Sequence, residues 1–243
     1  ARGDTVLCPD PCYPIHSFSV LIAGGDIRRV PLLPLDGLLE RLEEATQASW
    51  PRPKMLIASF PHNPTTATVD LPFLTRMVDF CRRHDLIFVH DLAYAEICYD
   101  GYRPPSALQV PGALDCTIEF TSLSKSHAMA GWRVAFLAGN ADVVQALAKL
   151  KSYLDYGTFQ PIQIAATVTM NEAIDVPREV QAVYQRRRDV LIDGLHRMGW
   201  DLPRPRGTMF AWAPIPEAYA EMGSVEFASM LVREAQVALS PGV

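Results

Sequence analysis

Three short, nearly continuous apolar runs, residues 54–59 (KMLIAS), 86–90 (LIFVH) and 116–120 (CTIEF), constrain this chain more than any other feature. Runs of that length without polar alternation suit strands buried on both faces, as in parallel sheets covered by helices. Between the first two, Phe73, Leu74, Met77, Val78 and Cys81 fall at helical spacing behind Asp70, whose carboxylate can cap a first turn. Strand, helix, strand in that order predicts parallel neighbours. Further strands are expected at 5–8 and 27–30. Another at 133–138 returns after a connection too short for a crossover helix and is expected to be antiparallel. Helices starting at Asp36, Asp70 and Ala141 would cover the sheet, giving a three-layer α/β/α architecture. A long helix over 178–198, with Val180, Val183, Leu191, Leu195 and Met198 as its apolar stripe, would lead to a strand at 208–213 and a helix at 224–235. The expected division is a large domain over 1–178, followed over 179–243 by the long helix and part of a smaller α+β domain.

Ligands of open α/β sheets gather beyond the carboxyl ends of the parallel strands. Asn63 follows the first apolar run, Asp91 and Tyr94 the second, and Ser122, Ser124 and Lys125 the third. One sheet edge therefore collects an amide, a carboxylate, a phenol, two hydroxyls and an amine. Lys125, set among hydroxyls with Gly131 and Arg133 downstream, suits an aldehyde-bearing phosphate cofactor, pyridoxal 5'-phosphate. Its amine can form an imine, while hydroxyls and a guanidinium can hold the phosphate. Each residue also has a plainer reading. A serine-rich turn with a lysine can be a solvated loop, Asp91 can cap a turn at a strand end, and Asn63-Pro64 can be an ordinary turn. Ser122 and Ser124 can be turn caps, and Tyr13 a core tyrosine beside a proline.

Four segments occur together: 10–14 (DPCYP), 60–65 (FPHNPT), 90–94 (HDLAY) and 122–133 (SLSKSHAMAGWR). In order and interval they resemble the class I/II aminotransferases, a family of fold-type I pyridoxal phosphate enzymes, and the resemblance covers essentially all 243 residues. Residues 153–163 (YLDYGTFQPIQ) and the His-Asn-Pro-Thr-Thr form at 62–66 resemble the alanine-forming and diaminopimelate-type members. The resemblance implies that Lys125 is the imine-forming lysine and proton carrier, and that Asp91 pairs with the pyridine nitrogen. It implies that Asn63 and Tyr94 donate to the cofactor's phenolic oxygen, that Ser122, Ser124 and Arg133 hold the phosphate, and that Tyr13 stacks on the ring. The Asn63-Pro64 bond is often cis in the family, and Thr66 stands where many relatives have glycine.

The activity implied is amino transfer between an L-amino acid, alanine or glutamate, and a 2-oxo acid, by a homodimer of the full-length protein. Two alternatives stay open: carbon-sulfur β-elimination on the same fold, and an aminotransferase-like sensor domain of a transcription regulator. The resemblance also implies an internal fragment, because the family's glycine-rich phosphate loop and its distal carboxylate-binding arginine find no counterpart here.

A net charge of -5 and a pI near 5.7 argue against nucleic acid or a membrane surface as the main partner. No apolar stretch is long enough to span a bilayer and no signal pattern is seen, so a cytoplasmic location is expected. The histidines show no metal-ligand spacing, and no metal is expected. The five cysteines form no CxxC pair. Cys8 and Cys12 make a CxxxC, and free thiols in a reducing compartment are the expectation. Arg186-Arg187-Arg188 reads as a solvated or dimer-facing surface of the long helix.

Overall fold

The computed structural model describes residues 2–242, so Ala1 and Val243, the outer ends of the two expected domains, lie outside the described residues. Strands β1 (Thr5–Asp10), β2 (Asp26–Pro31), β3 (Pro53–Ser59), β4 (Ile87–Asp91), β5 (Thr117–Ser122) and β6 (Ala135–Gly139) form one sheet in the order β2-β1-β3-β4-β5-β6. Every neighbouring pair is parallel except β5 and β6, which are antiparallel as expected from their short connection. Helices α1 (Pro14–Ile22), α2 (Leu38–Gln47) and α3 (Leu71–His84) make three of the four crossovers, and the long connection from β4 to β5 makes the fourth. A single turn, α4 (Leu123–Ser126), follows β5. The remaining helices are α5 (Ala141–Leu154), α6 (Gln160–Glu172), α7 (Val176–Arg197) and α8 (Gly223–Ala235).

The two faces of the sheet carry different helices. Leu56, Ala58 and Phe88 point to one face, where Leu38 and Leu42 of α2 and Phe73, Leu74 and Met77 of α3 cover them. Ile57, Val89 and Ile118 point to the other, against Val20 of α1 and Val143 of α5. Two covered faces explain why these strands read as apolar runs without alternation. Full burial of each such side chain contributes about 1.5–3 kcal/mol, so this core fixes the strand ends firmly. At the far end of β6, Gly139 has φ 130, and a Cβ there would overlap the Thr117 carbonyl, so glycine permits the close approach of β6 to β5.

Several sequence expectations need correction. The strand expected at 208–213 does not form. Its neighbour is a loop, and the pairing is a single bridge between Gly207 and Cys98, flanked by Thr208 N–H donating to Ile97 O at 2.8 Å. A β-prone run without an extended partner cannot build a ladder. The last strand begins at Ala135 and not 133, because Arg133 adopts φ 55. The helix expected from Asp36 begins at Leu38, behind Gly37 at φ 83. Helices α1 and α6 had no counterpart in the sequence reading. In α7 the buried stripe is rotated: Ile192 is fully buried, whereas Leu191 and Met198 are 49% and 73% exposed. Arg188, expected at the surface, is buried. Its guanidinium lies 2.6 Å from Asp100 and 4.6 Å from the centre of the Tyr99 ring, a pairing that makes an interior charge tolerable. No helix among the described residues is long and apolar enough to cross a membrane.

The expected cap is present: Asp70 Oδ1 accepts from the Phe73 N–H at 2.8 Å, with a proline in the same first turn. Since α3 packs its whole inner face on the sheet, this cap stabilises the global fold. Asp70→Ala should lower unfolding free energy by about 1 kcal/mol in urea titration, and no loss would show that packing alone sets the start of α3.

Candidate active site

Strand order reverses between β1 and β3. The crossover from β1 through α1 covers one face, and the crossover from β3 through α3 covers the other, so the loops leaving the two strands diverge. The crevice left between them is where ligands of open sheets bind. All of the nominated residues follow the carboxyl ends of β1, β3, β4 and β5: Tyr13; Asn63; Asp91 and Tyr94; and Ser122, Ser124, Lys125 and Arg133.

Asp91 ends β4 and points to the α1 face. Its Oδ2 is 2.9 Å from Nε2 of His16, and its Oδ1 accepts from the Ala93 N–H at 3.1 Å. Burial alone would push this carboxyl up, but the bond to and charge of His16, then the Ala93 N–H and His90, outweigh it and hold Asp91 below the ordinary carboxylate value. The result is an ionised, oriented carboxylate at the floor of the crevice. His16 was missed in the sequence. Pro14 at the start of α1 was the available signal, because it places His16, Ser17 and Val20 together on the buried face of a helix. Tyr13 caps the same helix, 40% exposed, and meets the His16 ring edge-on at 5.7 Å. It is therefore a wall of the crevice and not a core tyrosine.

Tyr94 is buried, and burial followed by the Asp91 charge pushes its hydroxyl up to about 12, so it stays a proton donor. The Asn63 Nδ2 approaches the Tyr94 oxygen at 3.5 Å, a long contact in which Asn63 donates. The phenol therefore keeps its own hydrogen for another acceptor. The Asn63-Pro64 bond is cis and Thr66 has φ 62, a left-handed position that explains why glycine suits it in relatives. Lys125 Nζ lies 6.0 Å from the centre of the Tyr94 ring, with no carboxylate paired to it among the described residues. Tyr94 thus has the Asn63 amide and the Lys125 amine beside it and feels the charge of Asp91. The buried Ser59 hydroxyl, in register with Asp91 at the end of β3, has no hydrogen-bond partner among the described residues. Such a group fits a wall that meets a polar ligand.

Ser122 accepts from the Ser124 N–H at 3.1 Å, so it does cap the turn that carries Lys125. Its one hydrogen can go to the Val134 carbonyl at 3.1 Å or to the Ser124 hydroxyl at 2.9 Å. Arg133 is exposed, and its Nη1 donates to Ala130 O at 2.9 Å, leaving the rest of its fork free. The turn brings the serines together with Lys125, whereas no bond links the Arg133 guanidinium to them. Among the described residues no cluster of His, Cys, Asp and Glu could hold a metal ion.

Residues 1–243 match the family model described as aminotransferase class I and II. The chain is 51% identical over 242 residues to the glutamate-pyruvate aminotransferase AlaC of Escherichia coli K12, covering 100% of this chain and 59% of that protein. It is 43% identical over 240 residues to the LL-diaminopimelate aminotransferase of Moorella thermoacetica, covering 99% and 61%. Among solved structures, substrate-bound BacF from Bacillus subtilis superposes with TM-score 0.91 at 29% identity, covering 99% of this chain and 61% of BacF. A Thermus thermophilus aspartate aminotransferase double mutant superposes with TM-score 0.88 at 27% identity, covering 100% and 63%. The chain thus spans about three fifths of the length of these curated relatives.

His62 supports the Asn63 turn from behind, its Nδ1 accepting from the Thr65 N–H at 3.3 Å. Burial, then the charge of His16, lowers its pKa from 6.5 to about 3. The folded state therefore keeps His62 neutral where the unfolded chain binds a proton, so stability should fall as pH drops from 6.5 towards 3. One proton gives a slope of at most about 1.4 kcal/mol per pH unit. Urea unfolding across that window should show a shallower slope in His62→Asn; equal slopes would mean that the burial of His62 is not what the pH dependence reports.

Proposed function

We propose that this chain, which belongs to the class I and II aminotransferase family, holds pyridoxal 5'-phosphate at the β1/β3 crevice as part of an enzyme that moves an amino group between an L-amino acid and a 2-oxo acid. The observation that carries the reading is Asp91, kept ionised by His16 behind it at the end of β4, with Tyr94 of the following turn beside the amine of Lys125. When bound, the cofactor supplies an electron-withdrawing pyridinium ring for the substrate carbon next to the amine. Asp91 would hold the proton on the ring nitrogen, and Asn63 and Tyr94 would donate towards the phenolic oxygen. Ser122, Ser124 and Arg133 would hold the phosphate, and Tyr13 would pack on the ring. Lys125 Nζ would carry the proton between the substrate carbon next to the amine and the cofactor. In this reading residues 1–178 are the cofactor-binding domain, 179–243 are a bridging helix with part of a second domain, and the full-length protein is a cytoplasmic homodimer.

If Lys125 has this role, borohydride reduction of the protein saturated with pyridoxal phosphate should leave the cofactor covalently on the peptide containing Lys125. Lys125→Ala should keep the fold by circular dichroism and lose the label. Label on Lys54, Lys149 or Lys151 instead would refute the assignment.

For the substrate, we assign L-alanine plus 2-oxoglutarate against pyruvate plus L-glutamate. The support is the name and 51% identity of the E. coli relative, with residues 153–163 and the Asn63 turn as the segments that resemble it. The rival is a diaminopimelate substrate, as named for the M. thermoacetica relative, whose second charged end needs a further polar partner. Measured on the full-length protein, kcat/KM for alanine should exceed those for aspartate and LL-diaminopimelate. Alanine ranking tenfold or more below either, roughly 1.4 kcal/mol in transition-state binding, would overturn the assignment. Ammonia and keto acid formed from cystathionine without an amino acceptor would mark β-elimination instead.

A further inference from the structure

Strand β1 and the loop after it hold two thiols that the cofactor reading does not use. Cys8, on β1 and 1% exposed, donates its S–H to the sulfur of Cys12 at 3.5 Å. Cys12, half-buried in the loop, also lies 3.2 Å from the hydroxyl of Ser17, which is buried in α1. The Cys8 thiol and a hydroxyl able to donate thus converge on one sulfur, at the amino end of a nine-residue helix whose dipole favours negative charge. The Cys8 bond, then Ser17 and the charge of His16, outweigh burial and hold the Cys12 thiol below its ordinary value, while the bond to Cys12 and then burial push Cys8 up. A thiolate with a protonated thiol beside it is the arrangement that thiol oxidation requires. The remaining cysteines, Cys81, Cys98 and Cys116, are buried, with pKa values raised by burial.

We propose that Cys12 and Cys8 form an oxidation site for hydroperoxides, Cys12 being the attacking sulfur and Cys8 the resolving one, and that the resulting disulfide loosens the cofactor crevice through Tyr13 and His16. In the first step the Cys12 sulfur attacks one peroxide oxygen and the O–O bond breaks. Sulfur loses two electrons to give a sulfenic acid, and the other oxygen leaves and takes up a proton as water or an alcohol. In the second, the Cys8 sulfur attacks the sulfenic sulfur, the S–O bond breaks, and hydroxide leaves with the Cys8 proton as water. Closing 3.5 Å to the roughly 2.05 Å of a disulfide draws the loop towards β1. Tyr13 is the next residue, and His16, the partner of Asp91, lies one turn on. The second half of the proposal rests on the cofactor reading; the first does not.

Both cysteines fall on one tryptic peptide, residues 3–28, which contains no other lysine or arginine before its end. Treatment with hydrogen peroxide followed by alkylation should return that peptide unalkylated and two hydrogens lighter, at doses that leave the other three cysteines fully alkylated. Cys8→Ser should instead trap a dimedone-reactive sulfenic acid on Cys12, and Cys12→Ser should abolish the reaction. Alkylation of both thiols in the treated protein, or oxidation at Cys81, Cys98 or Cys116 at the same dose, would overturn the site. Pyridoxal phosphate is then titrated by its visible absorbance into reduced and oxidised protein. Oxidation should weaken Kd by about fivefold or more, and dithiothreitol should restore it. Equal Kd values would refute the coupling, whereas no binding to the reduced protein would refute the cofactor reading and leave the oxidation site standing on the peptide masses.

Discussion

The reversal of strand order between β1 and β3 is the constraint on which the rest of this structure depends. A parallel sheet grown in one direction would put every crossover helix on one face and leave the other uncovered. Growing outward in both directions from β1 and β3 covers both faces and forces the loops after these strands apart. Because the crossovers diverge, α1 and the Asn63 turn stand on opposite sides of one gap, with the end of β4 beside it. The chemistry then needs only the right side chains on strand ends held by a close-packed core, where a displacement of the strands would cost many buried contacts.

The dipeptide His90-Asp91 shows how the pleat divides work between structure and site. Successive residues on a strand point to opposite faces. His90 turns to the α3 side, where its Nδ1 lies 2.8 Å from Glu119 of β5 and the ring is fully buried. Glu119 also accepts from the Ser106 hydroxyl at 2.8 Å and the Ala107 N–H at 2.9 Å, which ties the long connection before β5 to the sheet. Asp91 turns the other way, into the crevice. A slip of one residue in β4 would exchange the two groups, so the register with β3 from Met55–Ile87 to Ser59–Asp91 sets which of them meets His16 and which meets Glu119.

What was legible in the sequence follows from range. The buried strands, the Asp70 cap and the antiparallel return of β6 depend on local pattern, and they were read correctly. Lys125, Asp91, Asn63 and Tyr94 were legible as strand-end residues because open sheets put ligands there. Their convergence was not, since it depends on strand order, which periodicity does not encode. His16 was hidden for a related reason: α1 exposes Ile15, Phe18, Leu21 and Ile22, so its apolar residues do not mark the buried face. Arg188 was misread because a charge run gives no hint that one of its members meets Asp100, far away in sequence. The run at 208–213 was misread because β-propensity speaks for a residue's fit to a sheet and not for the presence of a partner strand.

The same geometry explains why the family is plain while the substrate is not. Apart from Arg133, every group assigned to the cofactor sits on the end of a strand or in the turn after it, positions fixed by the core. AlaC-like, diaminopimelate-type and aspartate-type relatives can therefore all resemble this chain in these residues. Discrimination between a methyl side chain and one ending in a charge requires a polar partner several bonds further out, beyond the strand ends and their turns. Fold and cofactor chemistry are consequently carried by contacts within the sheet, and substrate choice is carried by surfaces that the sheet only positions.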